Sequence, residues 1–377
     1  MRRARAAVAA VVRPAAVVLA PDGPQRTPPR PVALRGPDYA ERYDASTLFF
    51  DVFAADGRTV AVGPPLLDLA GPLRAAAVTV GGHQVAARSV ELDRAHRCDL
   101  GRAGGSPLEL TLAGRRYAVP VGADLAALFA GRRALMTLSR DNELAWVRDW
   151  ARYHASAHGT DAVVVYDNGS QSYTVEALLD TIAGVAGIDV AVVVDWSFPY
   201  GPQGGPGLPW DSDYAQYGAL EHARWRLLRH AAGFLNADVD ELVLATDGSS
   251  VYEHAARSRY GVVSYHGRWV HAGPADDGRL PRHADAAWVD ATGPACSTKW
   301  CAVPPRLPDG AQLQVHDVQG VKVVTPPVLG YRHFWDVTTH WKDGRRGRAA
   351  VDEGLHPDEL LRAALDRHLG ADGAERI

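Results

Sequence analysis

Asp161 to Tyr166 and Ile188 to Val194 are two nearly uninterrupted apolar runs, and a chain that carries them has few ways to fold. A strand with no polar face has to be covered on both sides, which is the signature of a parallel sheet between helical layers. Helical patterns stand where that cover is needed. Glu143 to His158 places Leu144, Trp146, Val147, Trp150 and Tyr153 at helical spacing, and Gly159 is positioned to stop it. Thr174 to Ala183 forms a second helix, with Thr174 as the cap three residues before Ala177, and Asp213 to Ala232 a third. Ala134 to Leu138 reads as the first strand of the series and Phe234 to Ala237 as the fourth. The pattern predicts an α/β domain with a mostly parallel central sheet over residues 132–345, followed by a helical segment at 346–377.

The chain is 377 residues long, enough for a second unit. From about Ser46 to Val121 the texture is one of short apolar pieces: Leu48 to Phe53, Thr59 to Val62, Ala76 to Val80, Val85 to Val90, Leu108 to Leu112 and Tyr117 to Val121. Turn residues at Ala55-Asp56-Gly57, Gly81-Gly82 and Ala113-Gly114 separate them, which predicts a small antiparallel β domain of sandwich type over 37–131. Residues 1–36 are rich in Ala, Pro and Arg, and that composition predicts a flexible or loosely docked leader.

Parallel sheets bind ligands beyond the carboxyl ends of their strands. Here each predicted strand of the second domain ends in a polar cluster: Ser139-Arg140-Asp141-Asn142-Glu143, Asp167-Asn168-Gly169-Ser170, Asp195-Trp196 and Asp238-Val239-Asp240. On an extended chain Asp238 and Asp240 would share a face. Paired carboxylates suit Mg²⁺ or Mn²⁺, ions that complete their shells with water and phosphate oxygens. Asn142 and Asn168 can read a base or ribose, and Asp167 can accept a ribose hydroxyl. Asp167-Asn168-Gly169 is equally suited to a plain turn, and Arg140 equally to phosphate or to an ion pair with Glu143.

A formal net charge of -4 argues against a general nucleic-acid binder. No glycine-rich phosphate loop or dinucleotide fingerprint is present. Cys98, Cys296 and Cys301 are too few and too scattered for a disulfide framework. Arg2, Arg3 and Arg5 precede an apolar run that Arg13 and Pro14 interrupt, so the start is a poor secretory signal, and no later stretch reaches the length of a membrane span. The expectation is a cytoplasmic protein, with an arginine-rich tail able to touch anionic lipid at a membrane surface.

These residues together resemble glycosyltransferase family 92, a group with the GT-A type nucleotide-sugar-binding fold. The likeness rests on Arg140, Asn142-Glu143, Trp146, Trp150 and Tyr153-His154, then on Tyr166-Asp167-Asn168-Gly169-Ser170, and on Asp238-Val239-Asp240-Glu241. Lys299, Pro304 and His316 follow in family order, so the likeness covers about Ala134 to Lys342. Two departures stand out: Asp141 separates Arg140 from the Asn-Glu pair, and Val303 replaces the family's arginine before Pro304.

The resemblance implies transfer of a sugar, with inversion, from a nucleotide-diphosphate sugar to a glycan or other hydroxyl acceptor. It implies a donor site of Arg140, Asn142, Glu143, Asp167, Asn168, Ser170 and Lys299. Mn²⁺ or Mg²⁺ would be held by Asp240, by Asp238 through water, and by His316. Lys299 and His316 also read as ordinary surface residues, and the catalytic base is open among Asp195, Asp211, Asp213, Asp290 and Asp336. The aromatic segments Trp196 to Trp210 and Tyr331 to Trp335 read either as sugar contacts or as core. Two rival readings use the same residues: a metal-dependent phosphoesterase or phosphotransferase, and a non-catalytic carbohydrate-binding protein.

Overall fold

A computed structural model describes residues 8–102, 106–204, 210–272, 280–290, 293–337, 339 and 355–370, without the side chains of 287 and 290. Its centre is a large mixed sheet. The strands are β1 (Val8–Val12), β2 (Arg133–Ser139), β3 (Ala162–Asp167), β4 (Val190–Asp195), β5 (Gly233–Asn236), β6 (Glu241–Ala245), β7 (Val262–Ala272), β8 (Ala286–Asp290), β9 (Cys296–Ala302), β10 (Leu329–Phe334) and β11 (Leu355–Pro357). They lie in the order β1-β4-β3-β2-β5-β9-β7-β8-β11, and β10 bridges β7 to β6. The first five in this order run parallel, whereas β5 to β11 join through antiparallel pairs.

Alternation along the parallel strands divides their side chains between two cores. Leu135, Val163, Val165, Ala191 and Val193 face one layer, formed by helices α1 (Leu144–His158), α2 (Val175–Ala183), α4 (Val251–Arg257) and α5 (Glu359–His368). Met136, Val164, Tyr166, Val192 and Val194 face the other, where α3 (Tyr214–His222) lies. The local signals act as the sequence suggests. Gly159 ends α1 in a left-handed conformation, and Thr174 accepts the Ala177 N–H at 3.2 Å to cap α2. The third helix is shorter than its pattern. After His222 it widens to a π-helical turn over Ala223–Leu227, where Leu228 N–H reaches back to Ala223 O at 2.8 Å.

Strand β6 pairs with β10 along one edge, and α1 seals the other. Val243 donates its N–H to His154 Nε2 at 3.4 Å, and its carbonyl accepts from His158 Nε2 at 2.8 Å and Tyr153 Oη at 3.0 Å. The Tyr153-His154 pair thus serves as a buried edge cap, which a strand with unpaired backbone groups requires.

The β domain is two four-stranded antiparallel sheets around a shared core of Val52, Ala61, Cys98, Leu100, Val78, Leu108 and Leu110. One of its strands, Ala95–Arg102, has no counterpart among the predicted strands; His96, Cys98 and Leu100 form its buried face and Arg97 and Asp99 alternate with them on the other. The sandwich is anchored to the main domain by Asp51, which is fully buried. Its carboxylate accepts from His222 Nε2 at 2.8 Å, from Arg226, and from Ala15 N–H at 2.7 Å; Tyr166 Oη donates to His222 Nδ1 at 2.6 Å. Burial opposes the charge, but His222 and Arg226 outweigh it and hold the Asp51 carboxyl below its ordinary value.

The described part of 1–36 is not a loose leader. Val8–Val12 adds a parallel edge strand beside β4, and Val17–Val18 pairs with Thr47–Phe49 in a separate two-stranded sheet. Buried Arg26 donates to the carbonyls of Pro65, Asp44 and Thr47 at 2.6, 2.7 and 2.8 Å. Composition misleads here because a guanidinium can be buried once carbonyls satisfy its fork of donors. The C-terminal segment supplies α5, capped by Asp358 and packed beneath α1. No helix among the described residues is long and apolar enough to cross a membrane.

Burial holds His96 and His158 down at about 4 and His154 at about 3, so all three stay neutral in the folded chain. Unfolded, each titrates near about 6.5. Between these values the unfolded chain binds protons that the native one refuses, so stability falls as pH drops from 6.5 toward 4. Each histidine contributes about 1.4 kcal/mol per pH unit in that window. Urea denaturation at pH 7.5 and pH 5.5 should give a clearly lower stability at 5.5; equal values would contradict this account.

Candidate functional site

The parallel order β4-β3-β2-β5 contains a switch point. The chain moves outward from β2 to β4, then returns to place β5 on the other side of β2. Connections diverge at such a point and leave a crevice beyond the strand ends. A cavity of about 230 Å³ opens there, lined by Leu138 and Asn142 after β2 and by Asp238, Asp240 and Glu241 after β5.

The Asp-x-Asp pair reaches this cavity by a different route from the one its sequence suggested. Strand β5 stops at Asn236, and residues 237–240 form a tight turn into β6, closed by Glu241 N–H to Asp238 O at 3.0 Å. The two aspartates meet the same volume because the turn bends, not because strand side chains alternate. The turn is fixed from three sides: His283 Nε2 donates to Val239 O at 2.8 Å, Phe334 N–H to Asp240 O at 2.8 Å, and Asp238 N–H to Glu241 Oε2 at 2.9 Å.

Lys299 lies beneath the turn, only 1% exposed, with Nζ 2.8 Å from Asp238 Oδ2 and 3.0 Å from Glu241 Oε2. Burial alone would discharge this ammonium, but the Asp238 and Glu241 carboxylates overcome it and raise the lysine above its ordinary value. Burial also pushes the Glu241 carboxyl upward, against the pull of Lys299. In front of this pair, Asp240, Glu241 and His333 bring one donor atom each within 4.8 Å of one another. His333 Nε2 is 3.0 Å from Asp240 Oδ2 and Nδ1 is 3.9 Å from Glu241 Oε1. Trp269 stacks on the imidazole, with ring centroids 3.9 Å apart and planes 18° from parallel, and fixes its orientation.

The predicted donor-site residues divide. Asn142 lines the cavity, with Nδ2 donating to Ser139 Oγ at 2.9 Å. Asp167, Asn168 and Ser170 stand at the same sheet edge but outside the cavity wall. Asp167 accepts the Ser170 N–H at 3.1 Å as well as its hydroxyl, and Asn168 is buried, donating to Trp196 O at 2.8 Å and Phe198 O at 2.9 Å. These are the bonds of a built turn, the bland alternative for this motif. Burial, with Asp195 and Asp141 nearby, raises the Asp167 carboxyl against the Ser170 bonds. Arg140 is exposed and lies 3.7 Å from Asp141, not against Glu143; Glu143 is exposed at the start of α1. Lys299 faces inward to carboxylates and not outward to phosphate.

His316 lines the cavity from an exposed loop, with Nδ1 3.1 Å from Thr298 O, while the histidine gathered with Asp240 is His333. Strand pairing sets Glu241 directly opposite His333, a register that no sequence motif encodes. Period-two alternation along Leu329–Phe334 was the available signal, since it puts Tyr331 and His333 on one face, and both line the cavity. Tyr200, from the aromatic segment Trp196 to Trp210, lines the wall bonded to Gln216, a residue that no sequence motif marks. None of the four candidate bases with described side chains lines the cavity. Asp211 and Asp213 are paired with Arg30 and Arg94, each at 2.7 Å; Asp195 accepts from Ser197 Oγ at 2.8 Å; Asp336 accepts from Ala272 N–H at 2.8 Å. The Asp290 side chain lies outside the described residues.

The chain matches no protein-family model and no curated protein.

Replacing Lys299 by Met should lower stability by about 3–5 kcal/mol, because it strands the buried carboxylate of Glu241 beside Asp238. Urea denaturation of Lys299→Met against the parent chain measures this; a loss below about 1 kcal/mol, the range of exposed pairs, would mean that the pair is not buried as described.

Proposed function

We propose that the chain is a metal-dependent glycosyltransferase of GT-A type that moves a sugar from a nucleotide-diphosphate sugar to an acceptor hydroxyl, with inversion. The observation that carries this reading is the Asp240–Glu241–His333 cluster, set in a polar cavity at the switch point of the parallel strands. Carboxylate oxygens with one imidazole suit Mn²⁺, and Mg²⁺ less well. Asp240, Glu241 and His333 would hold such an ion, each offering one donor atom within 4.8 Å of the others. The ion held there would supply positive charge against a departing diphosphate.

The chain's own residues do the remaining work. Lys299 holds Asp238 and Glu241 in place and offsets one of the site's three negative charges, which leaves a charge deficit suited to one divalent ion. Trp269 keeps the His333 ring aimed at the carboxylates. Asn142, Gln216 and Tyr200 present amide and hydroxyl groups to the cavity, the hydrogen-bonding chemistry that sugar and ribose hydroxyls require.

Thermal-shift measurements with a panel of nucleoside diphosphates and nucleotide sugars, with and without Mn²⁺, test the proposal. One nucleotide should raise the melting temperature by roughly 2–4 °C at saturation, and only when Mn²⁺ is present. Asp240→Asn and His333→Ala should each weaken Mn²⁺ binding roughly tenfold or more and abolish that shift. Stabilisation by no nucleotide, or hydrolysis of a simple phosphoester without any acceptor, would overturn it.

A further inference from the structure

A second cavity, about 300 Å³, lies on the β sandwich, lined by Arg58, Val85, Ala86, Arg88, Asp99, Gly101 and Arg102. Three arginines meet there through strand register. Arg58 lies opposite Arg102 across one strand pair, and Arg88 lies opposite Asp99 across the next. The register slips by one residue between Arg58 and Val60, where Gly101 adopts a φ of 85°; a bulge of this kind re-aims side chains at a strand end.

The one acid present is already committed. Asp99 accepts from Arg58 Nε at 3.0 Å through one oxygen and from the Gly101 N–H at 2.8 Å through the other. Arg88 and Arg102 are exposed, and among the described residues neither has a carboxylate partner. Like charges directly across a strand pair, as at Arg58 and Arg102, repel each other. A bound anion would relieve that repulsion, and the planar guanidinium fork matches a carboxylate. Val85 and Ala86 add apolar surface to the wall, and the volume is at the lower end of small-ligand sites.

We propose that this groove binds an acidic polysaccharide, with Arg88 and Arg102 gripping a sugar carboxylate and Val85 and Ala86 meeting the ring. The inference stands on the sandwich alone and does not depend on the transferase reading. Calorimetry with polygalacturonate, neutral dextran, polyglutamate and vesicles containing phosphatidylserine tests it. The parent chain should bind polygalacturonate, bind it more weakly as NaCl rises, and ignore dextran. The double variant Arg88→Ala/Arg102→Ala should keep the parent's melting temperature and lose affinity at least roughly tenfold, the loss expected when both exposed guanidinium partners of a charge-assisted contact are removed. Absence of binding by the parent chain, equal binding by the double variant, or equal or tighter binding of polyglutamate or the vesicles would each overturn it.

Discussion

A buried ammonium organises the site. Lys299 occupies the space under the β5–β6 turn between Asp238 and Glu241, and without it the buried Glu241 carboxylate would face Asp238 uncompensated. With it, Glu241 can be carried into the core at the start of β6, and Asp238 and Asp240 are left at the cavity edge. Coulomb attraction strong enough to overcome desolvation is available only at hydrogen-bonding distance, so the positions of β9, which carries Lys299, and of the turn are mutually fixed. The antiparallel pairing of β9 with β5 sets that distance.

The sheet provides the frame. Its parallel half leaves a crevice between the ends of β2 and β5, and β10, antiparallel to β6 and parallel to β7, completes the site, with His333 on β10 and Trp269 on β7. The sandwich is joined to this frame by a buried polar network and not by apolar contact alone. Asp51 collects His222, Arg226 and the N–H of Ala15 at one carboxylate, so three chain segments meet at a single charged group. Phe53, Val60 and Val62 pack on Trp225 beside it and keep water from the network.

Much of the frame was legible in the sequence for identifiable reasons. Apolar runs such as Asp161 to Tyr166 permit no half-exposed strand, and glycine or threonine at positions 159 and 174 marks helix ends through backbone groups that must be satisfied locally. The strand Ala95–Arg102 escaped notice because its partner strands, and not its composition, hold it in place. The described part of 1–36 is hidden for the same reason. Val8–Val12 has only five residues, and it pairs with β4, which follows it by 182 residues (190 − 8) in the chain.

At the site, sequence alone determined which stretch would carry the acids and that it would follow a buried strand, because both are properties of neighbouring residues. On the same ground it placed Asn142 and Asn168 at the ends of buried strands, and of the two Asn142 lines the cavity. Tertiary structure decided the rest. It turned Lys299 inward, committed Asn168 to two carbonyls, and brought His333 rather than His316 to Asp240. Those outcomes depend on which strands pair and in what register. A shift of one residue in the pairing of β6 with β10 would send His333 to the opposite face of the sheet, and no local pattern in the chain records that choice.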